Sequence, residues 1–208
     1  MCGIVGYIGT ENNAKEVVIE GLKRLEYRGY DSAGVALQQE GIHVVKTKGR
    51  LTLLCDKLAE HTELAGATCG IGHTRWATHG EPNDINAHPH YSQSQSLALV
   101  HNGTIENYNV LKEALIAQGY EFVSETDTEV AVQLIEYIKT KNNCSLFEAV
   151  REATHQIVGA YAIAVIDRKT RQPVCSAQLK AGMEVAVVNV PRAKLILGQG
   201  MKLPELFL

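Results

Sequence analysis

The chain has 208 residues, 45% of them hydrophobic and 21% charged, with a net charge of −3. Those values suit one globular domain with a sizeable core, and they exclude the basic footprint of a protein that binds nucleic acid or an anionic membrane surface. The five cysteines are widely spaced with no Cys-x-x-Cys pair. That argues for reduced thiols in a cytoplasmic setting, against a disulfide framework or a zinc ribbon. The start has no basic, then apolar, leader, and no apolar run is long enough to span a bilayer.

Met1-Cys2-Gly3-Ile4-Val5-Gly6 opens the chain. Once methionine is removed, Cys2 carries a nucleophilic sulfur and a free α-amine, whose ordinary pKa near ~8 lets it act as a base at neutral pH. Gly3 to Ile8 reads as a short buried strand that anchors the terminus. Val17, Val18, Gly21, Leu22 and Leu25 recur at helical spacing. Tyr27 to Gly34 breaks that period and reads as a loop. Gly34–Leu37 and Ile42–Val45 read as strands around a turn at Glu40-Gly41, and Leu51 to Ala59 as a short helix. A strand over Ala67 to His73 runs into Thr74-Arg75-Trp76-Ala77-Thr78-His79-Gly80. Glu81 to Ser96 is a long polar loop with two prolines, a length usually reserved for function or disorder.

Leu97 to Val100 reads as a strand ending in His101-Asn102-Gly103. Asn107 opens a helix that Gly119 stops, and Glu125-Thr126-Asp127-Thr128-Glu129 is an acidic start to another, which favours that end of the helix dipole. Ser145-x-x-Glu148 is a capping box. Ala160 to Ile166 is a strand, and in the tail Glu184–Val190 and Lys194–Leu197 read as two more. Strands, helices and strands in that order imply sheets packed against helices in layers.

Five of the eight histidines fall between His73 and His101. No Asp, Glu or Cys partner set has ligand spacing, and Pro89 restrains His88 and His90 from converging, so the reading preferred over a metal is that these rings hydrogen-bond to order loops around a site. Arg75 offers a fork for a carboxylate, or else a surface salt bridge. Trp76 walls a pocket or simply packs. Asn102-Gly103 supplies an amide donor and a backbone N–H to an oxyanion, or is a plain Asn-Gly turn. Asp127 takes an ammonium, or is an N-cap.

Taken together, Met1 to Gly6, Glu26 to Gly34, His73 to Gly80, Asn86-Ala87-His88-Pro89-His90, His101 to Gly103 and Glu125 to Glu129 closely resemble the class II, N-terminal-nucleophile glutamine amidotransferases. The Tyr-Arg-Gly-Tyr-Asp-Ser-Ala-Gly and His-Thr-Arg-Trp-Ala-Thr-His-Gly stretches, with Glu-Thr-Asp-Thr-Glu, resemble the N-terminal glutaminase domain of glutamine–fructose-6-phosphate aminotransferases. The resemblance implies a four-layer α/β/β/α sandwich of the N-terminal-nucleophile hydrolase type that hydrolyses L-glutamine, with no metal and no cofactor. It makes Cys2 the nucleophile, Asn102 and Gly103 the oxyanion hole, Arg75 the carboxylate clamp and Asp127 the ammonium partner. Trp76, Thr78 and His79 then line the pocket, and Arg28 lies near Cys2.

The expected organisation is a single domain over residues 1–208, with the resemblance clear for 2–173 and a divergent tail at 174–208. The sugar isomerase domain that partners this domain in the full-length family enzyme is absent from the chain. Two alternatives remain open at this point: the glutaminase part of another class II amidotransferase, such as the phosphoribosylpyrophosphate enzyme, and a non-catalytic fragment.

Overall fold

The computed structural model describes residues 2–77, 80–170, 174–178 and 194–197, with the backbone alone for Arg28, 175–178 and 194–197. The first half builds β1 (Gly3–Ile8), α1 (Ala14–Leu25), a 3₁₀ turn at Glu26–Arg28, β2 (Ser32–Gln38), β3 (Ile42–Lys48), α2 (Leu51–Glu60) and β4 (Cys69–Arg75). These strands form an antiparallel sheet in the order β1-β4-β2-β3. The second half builds β5 (His90–Tyr91), β6 (Leu97–Ile105), α3 (Tyr108–Ile116), α4 (Asp127–Asn142), α5 (Leu146–Gln156), β7 (Gly159–Asp167), β8 (Val174–Gln178) and β9 (Lys194–Leu197). Its strands form a second sheet in the order β5-β6-β7-β8-β9, with only β8 and β9 parallel.

Side-chain alternation explains the layers, because successive residues of a strand point to opposite faces. In the first sheet Val5 and Tyr7 of β1 and Ala33, Val35 and Leu37 of β2 pack with Val18 and Leu22 of α1 and Leu54 and Leu58 of α2. In the second, Leu97 and Leu99 of β6 and Tyr161, Ile163 and Val165 of β7 pack with Val130, Leu134 and Ile135 of α4 and Val150 of α5. The residues of opposite parity meet between the sheets: Ile8, Ala36, Ile71, Ala98, Val100, Ala164 and Ile166. The result is helices, sheet, sheet, helices, the four-layer sandwich expected from the sequence.

The inter-sheet layer is apolar in the middle and polar at its ends. At one end Gln38 Nε2 donates to the carbonyls of Asp167 and Thr170 at 3.0 and 3.1 Å. At the other, the same strand parity carries Cys2, His73, Arg75 and Asn102 into the layer. Between β4 and β6 runs the long loop, tied down by Lys46 Nζ, which donates to Ile85 O at 3.0 Å and Ala87 O at 2.7 Å. Tyr91 Oη donates to Ile42 O at 2.6 Å on the same strand.

Several boundaries differ from the sequence reading. β2 begins at Ser32, inside the stretch read as loop, because every residue from Ser32 to Gln38 is buried between two layers. β6 does not end at His101 but runs on to Ile105, paired with β7 throughout. β8 was not foreseen. The strand expected over Glu184–Val190 lies outside the described residues, whereas Lys194–Leu197 is β9. The capping box at Ser145 and Glu148 forms as expected. Among the described residues no helix is long and apolar enough to cross a membrane.

Gly34 shows how closely the layers approach. A Cβ placed there would stand 2.2 Å from the carbonyl oxygen of His88, and backbone cannot move aside as a flexible side chain can. Gly34→Ala should therefore lower the unfolding free energy by about 1–3 kcal/mol, the usual cost of overpacking. Urea unfolding followed by fluorescence checks this, and an unchanged midpoint would contradict so tight a seat for the loop.

Candidate active site

Pairing of β1 with β4 sets Gly3 opposite Thr74, which brings Cys2 beside the residues that follow β4. The Trp76 N–H donates to Cys2 Sγ at 3.2 Å. Burial pushes the Cys2 thiol above its ordinary pKa, the Trp76 N–H pulls it down, and Asp31 and Arg75 act in opposite directions. The Trp76–Ala77 turn is itself held by Asp31, whose carboxylate accepts from the Ala77 N–H and the Ser32 hydroxyl. Trp76 is half exposed and meets Tyr30 edge to face at 5.4 Å.

Behind Cys2 lies Asn102, whose Nδ2 donates to the Cys2 carbonyl at 3.0 Å. Asn102 and Gly103 sit within β6, so the plain-turn reading of this dipeptide is corrected: pairing with Ala162 and Tyr161 keeps the strand extended through it. Gly103 has φ +119, and a Cβ on it would lie 2.1 Å from the Ala160 carbonyl. Only glycine fits such a position.

Arg75 is buried and donates from Nη2 to Gly80 O at 3.1 Å. Burial lowers its pKa, and Asp31, Cys2 and Asp127 favour its charged form. Asp127 is the first residue of α4 and not its cap, because Thr126 takes that place with its hydroxyl accepting from the Glu129 N–H. Asp127 Oδ2 accepts from the Ile105 N–H at 2.9 Å, while Oδ1 lies 3.8 Å from His101 Nδ1. A small, open cleft is lined by Cys2, Arg75, Trp76, Gly103 and Asp127 together with His88, His101, Thr126 and Thr128.

Of the residues singled out in the sequence, Cys2, Arg75, Trp76, Gly103 and Asp127 converge on this cleft, and Asn102 stands one layer behind Cys2. Thr78, His79 and the side chain of Arg28 lie outside the described residues.

The histidines were expected to order loops, and their bonds fit that. The Thr128 hydroxyl lies 2.7 Å from His88 Nε2 and 2.9 Å from His101 Nδ1. It has one proton to give, so one of those rings donates to it. His90 Nε2 lies 3.1 Å from the Thr126 hydroxyl. His73 Nε2 reaches Asn102 Oδ1 at 2.8 Å and His101 O at 3.0 Å.

Comparison with known proteins bears on what this arrangement is. A profile of the glutamine amidotransferase domain matches residues 73–186. The chain belongs to the glutamine amidotransferase family. The glutamine–fructose-6-phosphate aminotransferase (isomerizing) of Bacteroides thetaiotaomicron is 54% identical over 189 residues, covering 90% of this chain and 30% of that protein. The enzyme of the same name from Synechocystis is 50% identical over 206 residues, covering 96% of this chain and again 30% of the relative. This amidotransferase chain thus spans about 30% of the length of the curated relatives it matches. Among solved structures, the glutamine phosphoribosylpyrophosphate amidotransferase of B. subtilis, complexed with ADP and GMP, superposes with a TM-score of 0.61 at 30% identity. That match covers 80% of this chain and 35% of that one. The fold of this amidotransferase domain is accordingly the N-terminal-nucleophile sandwich.

Sequence reasoning missed Thr126 and Thr128, which line this cleft, and Asp31, which holds the turn beside it. Each lies inside a quoted motif, but its work is done through bonds to backbone or to histidines distant in sequence. Thr126 alone leaves a local signal, the Thr-x-x-Glu spacing to Glu129 that marks a helix cap.

Burial holds His73 neutral, with a pKa lowered to about 3, and drives His88 and His90 well below the ordinary value too. The unfolded chain takes up those protons near pH 6.5, whereas the folded chain does so only at much lower pH. Stability from these rings is therefore fully present above about pH 6.5 and is lost as pH falls towards 3. Each should add about 1.4 kcal/mol per pH unit to the slope within that window. Urea titrations at pH 7, 6 and 5 measure the slope, and His90→Gln should flatten it by about one ring's share. A slope indifferent to that change would contradict a neutral buried His90.

Proposed function

We propose that this chain is the glutaminase part of a glutamine–fructose-6-phosphate aminotransferase, forming a single domain over residues 1–208 and hydrolysing L-glutamine to glutamate and ammonia in the cytoplasm. The observation that carries the reading is the meeting, in one cleft, of a cysteine sulfur with a buried cation and a buried anion, Arg75 and Asp127. Glutamine is a zwitterion with an amide at the far end. A guanidinium fork suits its carboxylate and an aspartate suits its ammonium, which leaves the amide to reach the sulfur. The 54% identity to an aminotransferase favours that member over the phosphoribosylpyrophosphate enzyme, whose likeness is 30%.

The chemistry follows from the groups present. Loss of Met1 frees the Cys2 amine, which takes the thiol proton through a water molecule. The sulfur attacks the side-chain carbonyl carbon of glutamine, and the oxygen becomes negative. Asn102 Nδ2 has two protons; one is spent on the Cys2 carbonyl, and the other, with the Gly103 N–H, meets the oxyanion. Collapse breaks the C–N bond, and the proton held by the amine leaves with ammonia. A γ-glutamyl thioester remains on Cys2. Water, deprotonated by the same amine, attacks it; the C–S bond breaks, the sulfur regains its proton, and glutamate departs. In the full-length protein the ammonia would go to fructose 6-phosphate on the sugar isomerase domain, giving glucosamine 6-phosphate.

Cys2→Ala should abolish glutamate release, and a chain carrying an uncleaved residue before Cys2 should be equally inert in the same coupled assay. Normal turnover by the blocked chain would remove the amine from its role as base. Arg75→Lys keeps the charge and loses the fork. It should raise KM for glutamine about 10–100-fold, the range expected for losing a hydrogen bond to a charged group; an unchanged KM would take the carboxylate elsewhere.

A further inference from the structure

Asn102 carries an ambiguity that its chemistry must resolve. A side-chain amide turned by half a rotation keeps its shape but exchanges donor for acceptor, so a flipped Asn102 would present a lone pair where an oxyanion needs a proton. Two contacts settle its sense. The Cys2 carbonyl only accepts, so the group 3.0 Å from it is Nδ2. Oδ1 then faces His73 Nε2 at 2.8 Å, and that nitrogen has to be the protonated one. The His101 carbonyl, 3.0 Å from the same nitrogen, demands the proton independently.

The His73 ring is wholly buried and stacked on His88 with centroids 4.2 Å apart. Its Nδ1 has no hydrogen-bond partner among the described residues. The other nitrogen grips the amide beside Cys2.

We propose that His73 is a positioning residue: its Nε2–H locks the Asn102 amide with nitrogen towards Cys2, and so aims the free amide proton at the oxyanion. The proposal deepens the hydrolase reading and rests on it. Burial keeps the ring neutral down to about pH 3, so the tautomer persists through any working pH.

His73→Phe keeps a ring and its bulk but removes the donor. It should lower kcat for glutamine about 10–100-fold, somewhat less than deleting the oxyanion donor itself, with KM within about threefold. His73→Gln, whose amide nitrogen reaches about as far as Nε2, should recover most of the loss. Because His73 acts through Asn102, adding His73→Phe to Asn102→Ala should cost nothing further. A kcat unchanged in His73→Phe, or losses that multiply in the double variant, would overturn the assignment. If the phenylalanine variant does not fold, as read from its melting transition, His73→Asn replaces it: its amide stops short of Oδ1, and the same losses are expected.

A second measurement does not depend on turnover. The Asn102 side-chain amide should show two distinct, exchange-protected protons in a ¹⁵N-correlated NMR spectrum. Those should lose their exchange protection and move towards free-amide shifts in the variant without the donor and recover in His73→Gln; an amide signal indifferent to all of them would overturn the proposal. A wild-type chain that releases no glutamate yet shows this pattern would sink the hydrolase reading and leave the amide lock standing.

Discussion

The whole site hangs on the register of one edge strand. β1 pairs with β4 so that Gly3 faces Thr74 and Val5 faces Gly72, and alternation then sends Val5 and Tyr7 towards α1 and Ile4 and Ile8 towards the other sheet. Cys2 belongs to the second set. A slip of one residue would turn it to the helix side, away from Trp76 N–H and from Asn102. Chain ends normally fray. This one is held by a ladder over Gly3–Ile8, by the packing of Val5 and Tyr7 under α1, and by two polar contacts to Cys2 itself, from Trp76 N and Asn102 Nδ2. Burying the parity of β1 in a helix-side core is thus what fixes where the Cys2 sulfur stands.

The same alternation explains why the site sits where it does. Between the sheets small residues, Ala36, Ala98 and Ala164, let the layers approach closely. Moving along β4 towards its end, the residues on that face change from Cys69 and Ile71 to His73 and Arg75; along β6 they change from Ala98 and Val100 to Asn102. The cleft is the mouth of that polar end, opened on one side by the exposed Trp76 and backed on the other by the start of α4. Asp127 takes part because Thr126, and not it, caps the helix, which leaves the aspartate free to enter the first turn, where the dipole favours its charge.

Much of this was legible in the sequence, for reasons that can be named. Period-3.6 apolar spacing found α1, the acidic stretch Glu125 to Glu129 marked the start of α4, and the Ser145–Glu148 pair marked the start of α5, because those signals are local. Quoted motifs found Cys2, Arg75, Trp76, Gly103 and Asp127. What failed was also physical. The stretch around Asn102-Gly103 reads as a turn by composition, yet tertiary pairing with β7 makes it strand, and a glycine at φ +119 inside that strand is only understood once the Ala160 carbonyl is seen against it. Ser32 and Ala33 fell in the stretch read as loop because it breaks the helical period; in fact both are buried and open β2. Asp31 and Thr128 escaped because each acts on a group far away in the chain, as Thr126 does on His90.

The buried histidines show what kind of polarity such a site can tolerate. His73, His88, His90 and His101 fill the space between Asn102, Thr126 and Thr128 at almost no exposure. A carboxylate in their place would raise the Cys2 thiol further, as Asp31 already does. A lysine would repel Arg75 and carry the cost of burying a second positive charge. A neutral imidazole gives a donor on one side and an acceptor on the other, in a rigid plane, with no charge to bury. Crowding by burial and by Arg75 and Lys46 keeps the rings in that neutral form. The layer can therefore orient the groups around Cys2 in hydrogen bonds alone, and leave the fixed charge among the described residues that line the cleft to Arg75 and Asp127, the two places where a zwitterionic substrate would use it.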